Sequence, residues 1–319
     1  MKTTLVIVFF LLFFSGINST NAQPVKENGQ LEVESTFLVN ENGEPIILRG
    51  ISYGWHNWWP RFYNKESVKW LANDFKCTVV RAALGVGPRN SYIDKTEWSE
   101  EKIEAVIKGV IENDIYVIID WHSHELHLNE AISFFTKMAE KYGEYPHVIY
   151  EIFNEPVDDS WEKVKDYSIK VIKAIREKDP DNIILVGSPH WDQDIHIVAD
   201  DPIEGFSNLM YTVHFYAGTH GLSLRERSDY ALNKGIPIFV SECAGMEANG
   251  NGEIDFESWK IWIDWMETNK ISWVCWSIAD KNETCSMLNR SASDIGNWKN
   301  SDLKEAGIKT RELLRKYNK

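Results

Sequence analysis

The chain has 319 residues, 43% of them apolar, with 48 acidic against 34 basic side chains. A net charge of −14 with no basic run argues against a nucleic-acid surface and suits a neutral ligand. The length can bury a large core, and it fits either two small domains or one α/β barrel.

The first 22 residues read as a cleaved leader: Lys2 is a positive start, Leu5 to Phe14 is a continuous apolar stretch, and Thr20-Asn21-Ala22 is a small-x-small cleavage site. That stretch is too short to span a bilayer. The expectation is cleavage between Ala22 and Gln23, a secreted protein (extracellular or periplasmic), and no membrane association afterwards. With no cysteine near the cleavage site, a lipid anchor is disfavoured.

After a polar lead-in, "LEVESTFLVNENGEPIILRG" reads as a short N-terminal β-hairpin turning at Glu41-Asn42-Gly43. From Ile46 onward β-rich runs alternate with amphipathic segments. The runs are IILRG, TVVRA, YVIID, VIYEI, NIILVG, LMYTVH, IPIFVS and SWVCWS. Segments such as "EEKIEAVIKGVIEN", "NEAISFFTKMAEKYG", "WEKVKDYSIKVIKAIREK" and "DFESWKIWIDWMETN" space their apolar residues near 3.6 and predict helices. No repeat, low-complexity tract or linker divides the chain, so residues 23–319 are expected to form one domain. Eight strands alternating with helices predict a (β/α)8 TIM barrel. The alternative, a doubly wound open sheet, carries a glycine-rich phosphate turn after its first strand, where this chain has "SYGWHNWW".

In a barrel, chemistry gathers at the C-terminal ends of the strands. Taken in order, those ends present Arg81, His122, Asn154 with Glu155, Trp191, His214 with Tyr216, Glu242 and Trp276. One strand-end histidine is ordinarily a structural residue; convergence from six or seven strands is not explained that way. Glu155 and Glu242 end the fourth and seventh strands and can face one another across the axis. Paired carboxylates over a cleft are the apparatus of glycoside hydrolysis, one protonating the leaving oxygen and the other attacking the anomeric carbon or activating water. Their surroundings must differ; a guanidinium at Arg81 would hold Glu242 ionised. Tyr216 could donate to that carboxylate and Asn154 to a sugar hydroxyl. Trp276, Trp58 and Trp191 offer flat faces for pyranose rings. Glu151, four residues before Glu155, is read as a structural acid deeper in the barrel, paired with Arg81.

Of four cysteines, Cys243–Cys285 is the preferred disulfide, with four buried free thiols the alternative. No C-x-x-C spacing suggests a metal. "EANGNG" matches part of a calcium loop, but its twelfth position is Ser258, so a polar turn is preferred. His124 and His127 are read as polar loop or cleft-edge residues rather than metal ligands. Asn282-Glu283-Thr284 and Asn289-Arg290-Ser291 are sequons of the kind that arise by chance.

The segments "VRAALGVG", "YVIIDWHSHE", "HVIYEIFNEP", "NIILVGSPHWDQD", "YTVHFYAGTH", "IFVSECAG" and "WSIADKNETC", in this order, resemble glycoside hydrolase family 5 and within it the bacterial endo-β-1,4-glucanases. The resemblance covers about residues 30 to 319. It implies a retaining double displacement without metal or organic cofactor, Glu155 as acid/base, Glu242 as nucleophile, and Arg81, His122, Asn154, His214 and Tyr216 as the supporting shell. Trp276 would be a sugar platform, and Lys281 and Glu283 would be sugar-binding positions. Two departures stand out: Cys243 and Ala244 replace the aromatic-glycine pair that often follows the nucleophile, and Gly85 stands where some members have tyrosine. The expected partner is a β-1,4-glucan, cellulose or mixed-linkage, acted on by a monomer. Mannan or xyloglucan is the alternative polymer, and a carbohydrate-binding barrel without turnover is the alternative outside catalysis.

Overall fold

The computed structural model describes residues 23–318; the predicted leader lies outside the described residues. Ten strands are described: β1 (Glu32–Glu34), β2 (Phe37–Val39), β3 (Arg49–Tyr53), β4 (Val79–Gly85), β5 (Tyr116–His122), β6 (Val148–Glu151), β7 (Ile184–Val186), β8 (Leu209–Tyr216), β9 (Ile238–Ala244) and β10 (Trp273–Ile278). β3 to β10 pair in parallel and close in the order β10-β3-β4-β5-β6-β7-β8-β9, the predicted (β/α)8 barrel. β1 and β2 form a separate antiparallel hairpin.

The hairpin turns earlier than predicted, at Ser35-Thr36, where Ser35 adopts a left-handed φ of 57°. Glu41-Asn42-Gly43 is a second turn, closed by the Gly43 N–H donating to Asn40 O at 2.9 Å. Ile46 N–H then donates to Leu38 O, so Ile46 to Leu48 return along the hairpin and the first barrel strand begins at Arg49.

The helices form where the apolar period reaches 3.6. Along Trp161–Arg176, Trp161, Val164, Ser168, Val171, Ile172 and Ile175 are buried, one stripe facing the barrel. Helix Phe256–Thr268 starts on the Asp255 side chain, which accepts from Ser258 N at 2.9 Å.

Alternation along the strands sorts the interior into layers. Val79, Ile118, Ile149, Leu185, Met210, Phe239 and Val274 fill the lower barrel, and Val25, Leu31, Leu38 and Leu48 from the N-terminal segment plug its floor. Their neighbours Val80, Val117, Tyr150, Ile184, Tyr211 and Val240 point outward into the helix layer. Two residues further up β4, β5, β6, β8 and β9, inward positions turn polar: Arg81, Asp120, Glu151, Thr212 and Ser241 are all fully buried. The apolar floor supports a charged storey. Gly50 makes the β3–β4 junction possible, because a Cβ there would lie 1.7 Å from Val79 O.

Candidate active site

Arg81 stands at the centre of that storey. Its Nε and Nη2 donate to the two oxygens of Glu151 at 2.6 and 3.2 Å, and Nη2 lies 3.0 Å from Asp120. Nη2 also donates to Asn154 Oδ1 at 2.6 Å, and Nη1 reaches Glu242 Oε2 at 3.1 Å. Glu151 is therefore the structural acid expected beside Arg81. With its oxygen held by Arg81, the Asn154 amide is oriented so that Nδ2 is buried without a protein partner, available to a ligand hydroxyl.

Glu242 reaches the mouth through a β-bulge. Between β8 and β9 the register runs from Thr212↔Phe239 to His214↔Glu242, two residues opposite three. Without the extra residue Glu242 would follow Val240 outward; with it, Ser241 and Glu242 both face inward and Cys243 packs outside. Ser241 Oγ donates to Glu151 at 2.6 Å and meets His214 Nε2 at 2.9 Å. Tyr216 OH donates to Glu242 Oε1 at 2.6 Å.

Glu155 lies across the mouth with a different set of partners. His214 Nδ1 is 2.9 Å from its Oε1, and His124 Nε2 is 3.2 Å from its Oε2. One oxygen of Glu155, one of Glu242 and a nitrogen of His214 lie within 4.8 Å of one another. Such a spacing would admit a cation, but every one of these groups is already bonded internally: Glu242 to Arg81 and Tyr216, His214 to Glu155 and Ser241.

Burial and charge-sharing set the protonation pattern. Burial alone would raise Glu155, but hydrogen bonds from His124 and His214 outweigh it and bring the carboxyl down to about 2. Burial and the neighbouring Glu155 push Glu242 upward despite His214, Arg81 and Tyr216. Arg81 acts on Glu242 in the expected direction, favouring the ionised form, but it also serves Asp120 and Glu151, and burial with the nearby Glu155 outweighs it. His214, which burial would lower, is raised by Asp192, Glu151 and Glu155. His122 is lowered by burial and by Arg81, and its Nδ1 is 2.7 Å from Asp120.

Two lobes meet at Glu155, Tyr216 and Glu242. One, of about 270 Å³, is walled by Trp55, Trp58, Trp59 and Trp276, with Lys281 and Glu283 on its rim. Trp276 lies parallel to the His122 ring at 5.1 Å, and Trp58 stacks on Trp55 at 4.7 Å. The other, of about 520 Å³, contains Trp191, His190, His220 and Gln193. His122, Glu155, Trp191, His214, Tyr216, Glu242 and Trp276, all singled out in the sequence, line this cleft; Arg81 bonds Glu242 from below, and Asn154 bonds Arg81. Sequence reasoning missed Trp55, Asp120, Ser241 and Asp192, and it left His124 at the cleft edge without a partner. Asp120 and Ser241 were legible as inward strand positions two residues above the apolar floor. Trp55 carried a signal too: Gly85, where a Cβ would meet its ring at 2.8 Å.

The loop bearing Trp191 is strained. His190, Trp191 and Asp192 have φ of 59°, 54° and 58°, a left-handed run that costs L-residues on the order of 1–2 kcal/mol each. It is held by Trp191 N donating to Pro156 O at 2.9 Å and by Asp192 N donating to Ser188 O at 3.2 Å.

The disulfide expectation is corrected. All four cysteines are free thiols; Cys243 lies outside the barrel with its Sγ 3.8 Å from Cys275, whereas Cys285 lines the cleft. The bulge turns Cys243 away from Cys285. "EANGNG" forms a turn in which Asn249 Oδ1 accepts from Asn251 N at 2.8 Å.

Residues 39–282 match the family Cellulase (glycosyl hydrolase family 5). An endoglucanase from Clostridium saccharobutylicum is 40% identical over 313 residues, 95% of this chain and 69% of the relative. Endoglucanase 5 of Pectobacterium carotovorum subsp. carotovorum is 39% identical over 322 residues, 98% of this chain and 63% of the relative. The chain therefore spans about two-thirds of the length of these relatives. A solved structure from Cytophaga hutchinsonii superposes with a TM-score of 0.91 at 42% identity, covering 93% of this chain and 98% of that one. A variant of the catalytic domain of a Thermobifida fusca endoglucanase, in complex with cellotetraose, gives 0.87 at 29% identity, covering 92% of this chain and 100% of that one. With a family match over most of its length and a two-carboxylate cleft at the barrel mouth, this chain belongs to glycosyl hydrolase family 5, the cellulases, and is a glycoside hydrolase.

Proposed function

We propose that residues 23–319 form one secreted, monomeric catalytic unit that cleaves internal β-1,4-glucosidic bonds of cellulose or mixed-linkage β-glucan with retention of configuration. The observation that carries this reading is the separation of the two carboxylates. The nearer oxygens of Glu155 and Glu242 lie within 4.8 Å, a spacing closer to the ~5–5.5 Å of a retaining pair than to the ~6.5–9.5 Å that inversion needs to admit water. Lobes on both sides of the pair suit a chain bound through its middle. The names of the relatives, endoglucanases, and the cellotetraose bound by one structural neighbour support the polymer. Among the described residues no helix is long and apolar enough to cross a membrane.

In this reading a Glu242 oxygen attacks the anomeric carbon while Glu155 protonates the departing glycosidic oxygen. The glycosyl ester on Glu242 is then cleaved by water, deprotonated by Glu155. Arg81 and Tyr216 orient Glu242 and take up its charge when it is released. Asn154 Nδ2 donates to a sugar hydroxyl beside the reacting carbon, and Trp276 carries the ring.

The low value of Glu155 in the free site does not remove its proton from the reaction. Ser241 spends its hydrogen on Glu151, so its oxygen accepts from His214 Nε2. The Nδ1–Oε1 line at 2.9 Å then holds one proton, carried by His214 at rest and by Glu155 when the leaving oxygen draws on it. Glu242 must be ionised to attack, and burial beside Glu155, which raises it, moves the acid limb of kcat/KM toward higher pH.

The test is hydrolysis of cellotetraose followed by NMR from the first turnover, with carboxymethylcellulose, barley β-glucan, mannan, xylan and xyloglucan as polymer substrates. A β-anomer formed first, and cleavage favouring the two β-glucans, are expected. An α-anomer formed first would overturn retention, and a preference for mannan or xyloglucan would overturn the polymer.

A further inference from the structure

Asp192 is fully buried, stands in the left-handed run beside Trp191, and has no place in the reaction assigned above. Its Oδ1 accepts from Ser188 N at 2.5 Å, and its Oδ2 lies 3.3 Å from His214 Nε2 without a hydrogen-bond partner. Of the other acids near His214, Glu151 and Glu242 are bonded to Arg81, and Glu155 is bonded to His214 itself and to His124. Asp192 has no such cation: burial pushes its carboxyl well above the usual range and His214 draws it down, so at 3.3 Å the two form a buried acid–base pair in which His214 is the nearest positive group.

We propose that Asp192 is a positioning residue that retains the leaving-group proton on the Glu155–His214 pair and joins that proton to the loop carrying the Trp191 platform. This rests on Glu155 as the acid. His214 is faced from β6 by Glu151 and from the segment beyond by Glu155; from β9 come Ser241 and Glu242. Asp120 and His122 approach from β5, and His124 and His220 from loops. Of these groups Asp192 alone comes from the loop whose backbone is bonded to Pro156, directly after Glu155. A sugar ring seated on Trp191 and the proton it will need are thus held by one short, strained segment.

Asp192→Asn isolates the charge, because asparagine tolerates the left-handed backbone and keeps an oxygen for Ser188 N–H. On barley β-glucan the basic limb of kcat/KM should move about one pH unit or more toward lower pH. The plateau should change less than about threefold, a modest transition-state difference. An unmoved basic limb, or a plateau loss with no shift, would overturn the proposal. With 2,4-dinitrophenyl β-cellobioside, whose leaving group needs no proton, the two proteins should share one profile; an equal shift on both substrates would also overturn it. Azide rescue of Glu155→Ala on the same aryl glycoside checks the acid/base reading separately, so failure of that reading is distinguishable. Should Asp192→Asn not fold, imidazole-nitrogen NMR of the natural protein decides: the His214 signal must titrate with the basic limb, and one that does not refutes the proposal.

Discussion

Glu151 and Glu155 stand four positions apart in one short stretch, and their partners separate them. Both oxygens of Glu151 are taken by Arg81 and one also by Ser241, with no exposed surface left. Glu155 is bound by two histidines, groups that exchange protons near neutral pH. Glu242 is bound by Arg81 and Tyr216, which orient a carboxylate and absorb its charge. The substitution Glu242→Gln keeps an oxygen for both donors while removing the nucleophile. It should lower kcat by at least about 10³-fold and leave cellotetraose binding, read by calorimetry, within severalfold of the natural protein. Turnover within tenfold of the natural protein would refute the assignment. Arg81 and Glu151 were legible as a pair because each sits at an inward strand position. The opposite shifts of Glu155 and Glu242 were not, because they depend on burial and on which charges share one small volume.

At the scale of elements, strands and their order follow from periodicity, while phase depends on register. β4 and β5 alternate regularly from apolar floor to charged storey, and there the inward residues could be read off. β9 could not be read that way, since its bulge reverses the phase between Val240 and Cys243. The hairpin turn was misplaced for a related reason: Asn42-Gly43 is the stronger local turn signal, yet pairing of β1 with β2 favours Ser35 in the left-handed region. Close approach of strands also has a local signature, Gly50. Gly50→Ala would drive a Cβ to 1.7 Å from Val79 O; separating β3 from β4 should cost about 3 kcal/mol, the upper part of the overpacking range. Gly221→Ala, where nothing lies within 4 Å, is the control. Equal melting temperatures for the two variants would count against a close-contact role for Gly50.

For the whole molecule, buried histidines tie stability to pH. His56 Nδ1 accepts from Gly85 N at 3.0 Å and its Nε2 meets Ser99 Oγ at 2.8 Å, a neutral ring locked between the first two barrel strands and their helix. Burial brings it down to about 3. A base lowered on folding binds its proton more readily unfolded, so below pH 6.5 the unfolded chain is favoured until about pH 3. Relative to His56→Asn, the natural protein should lose up to about 1.4 kcal/mol per pH unit across that window, measured as urea midpoints at pH 7, 5 and 4. A constant difference between the two proteins would rule out His56 as the titrating group.

What the sequence determined by itself is local in origin: eight strand-like runs, the helices between them, and polar residues at the strand ends. Each follows from spacing within about ten residues, which backbone geometry converts directly into a face or an end. The tertiary structure decided which of those residues meet, and with what charge. Arg81 bonds Glu242 from 161 positions away, Asp192 enters through a strained loop, and Glu242 is turned inward by a bulge. Those outcomes depend on inter-strand register and on burial of several charges in one small volume. Neither is a property of any single segment.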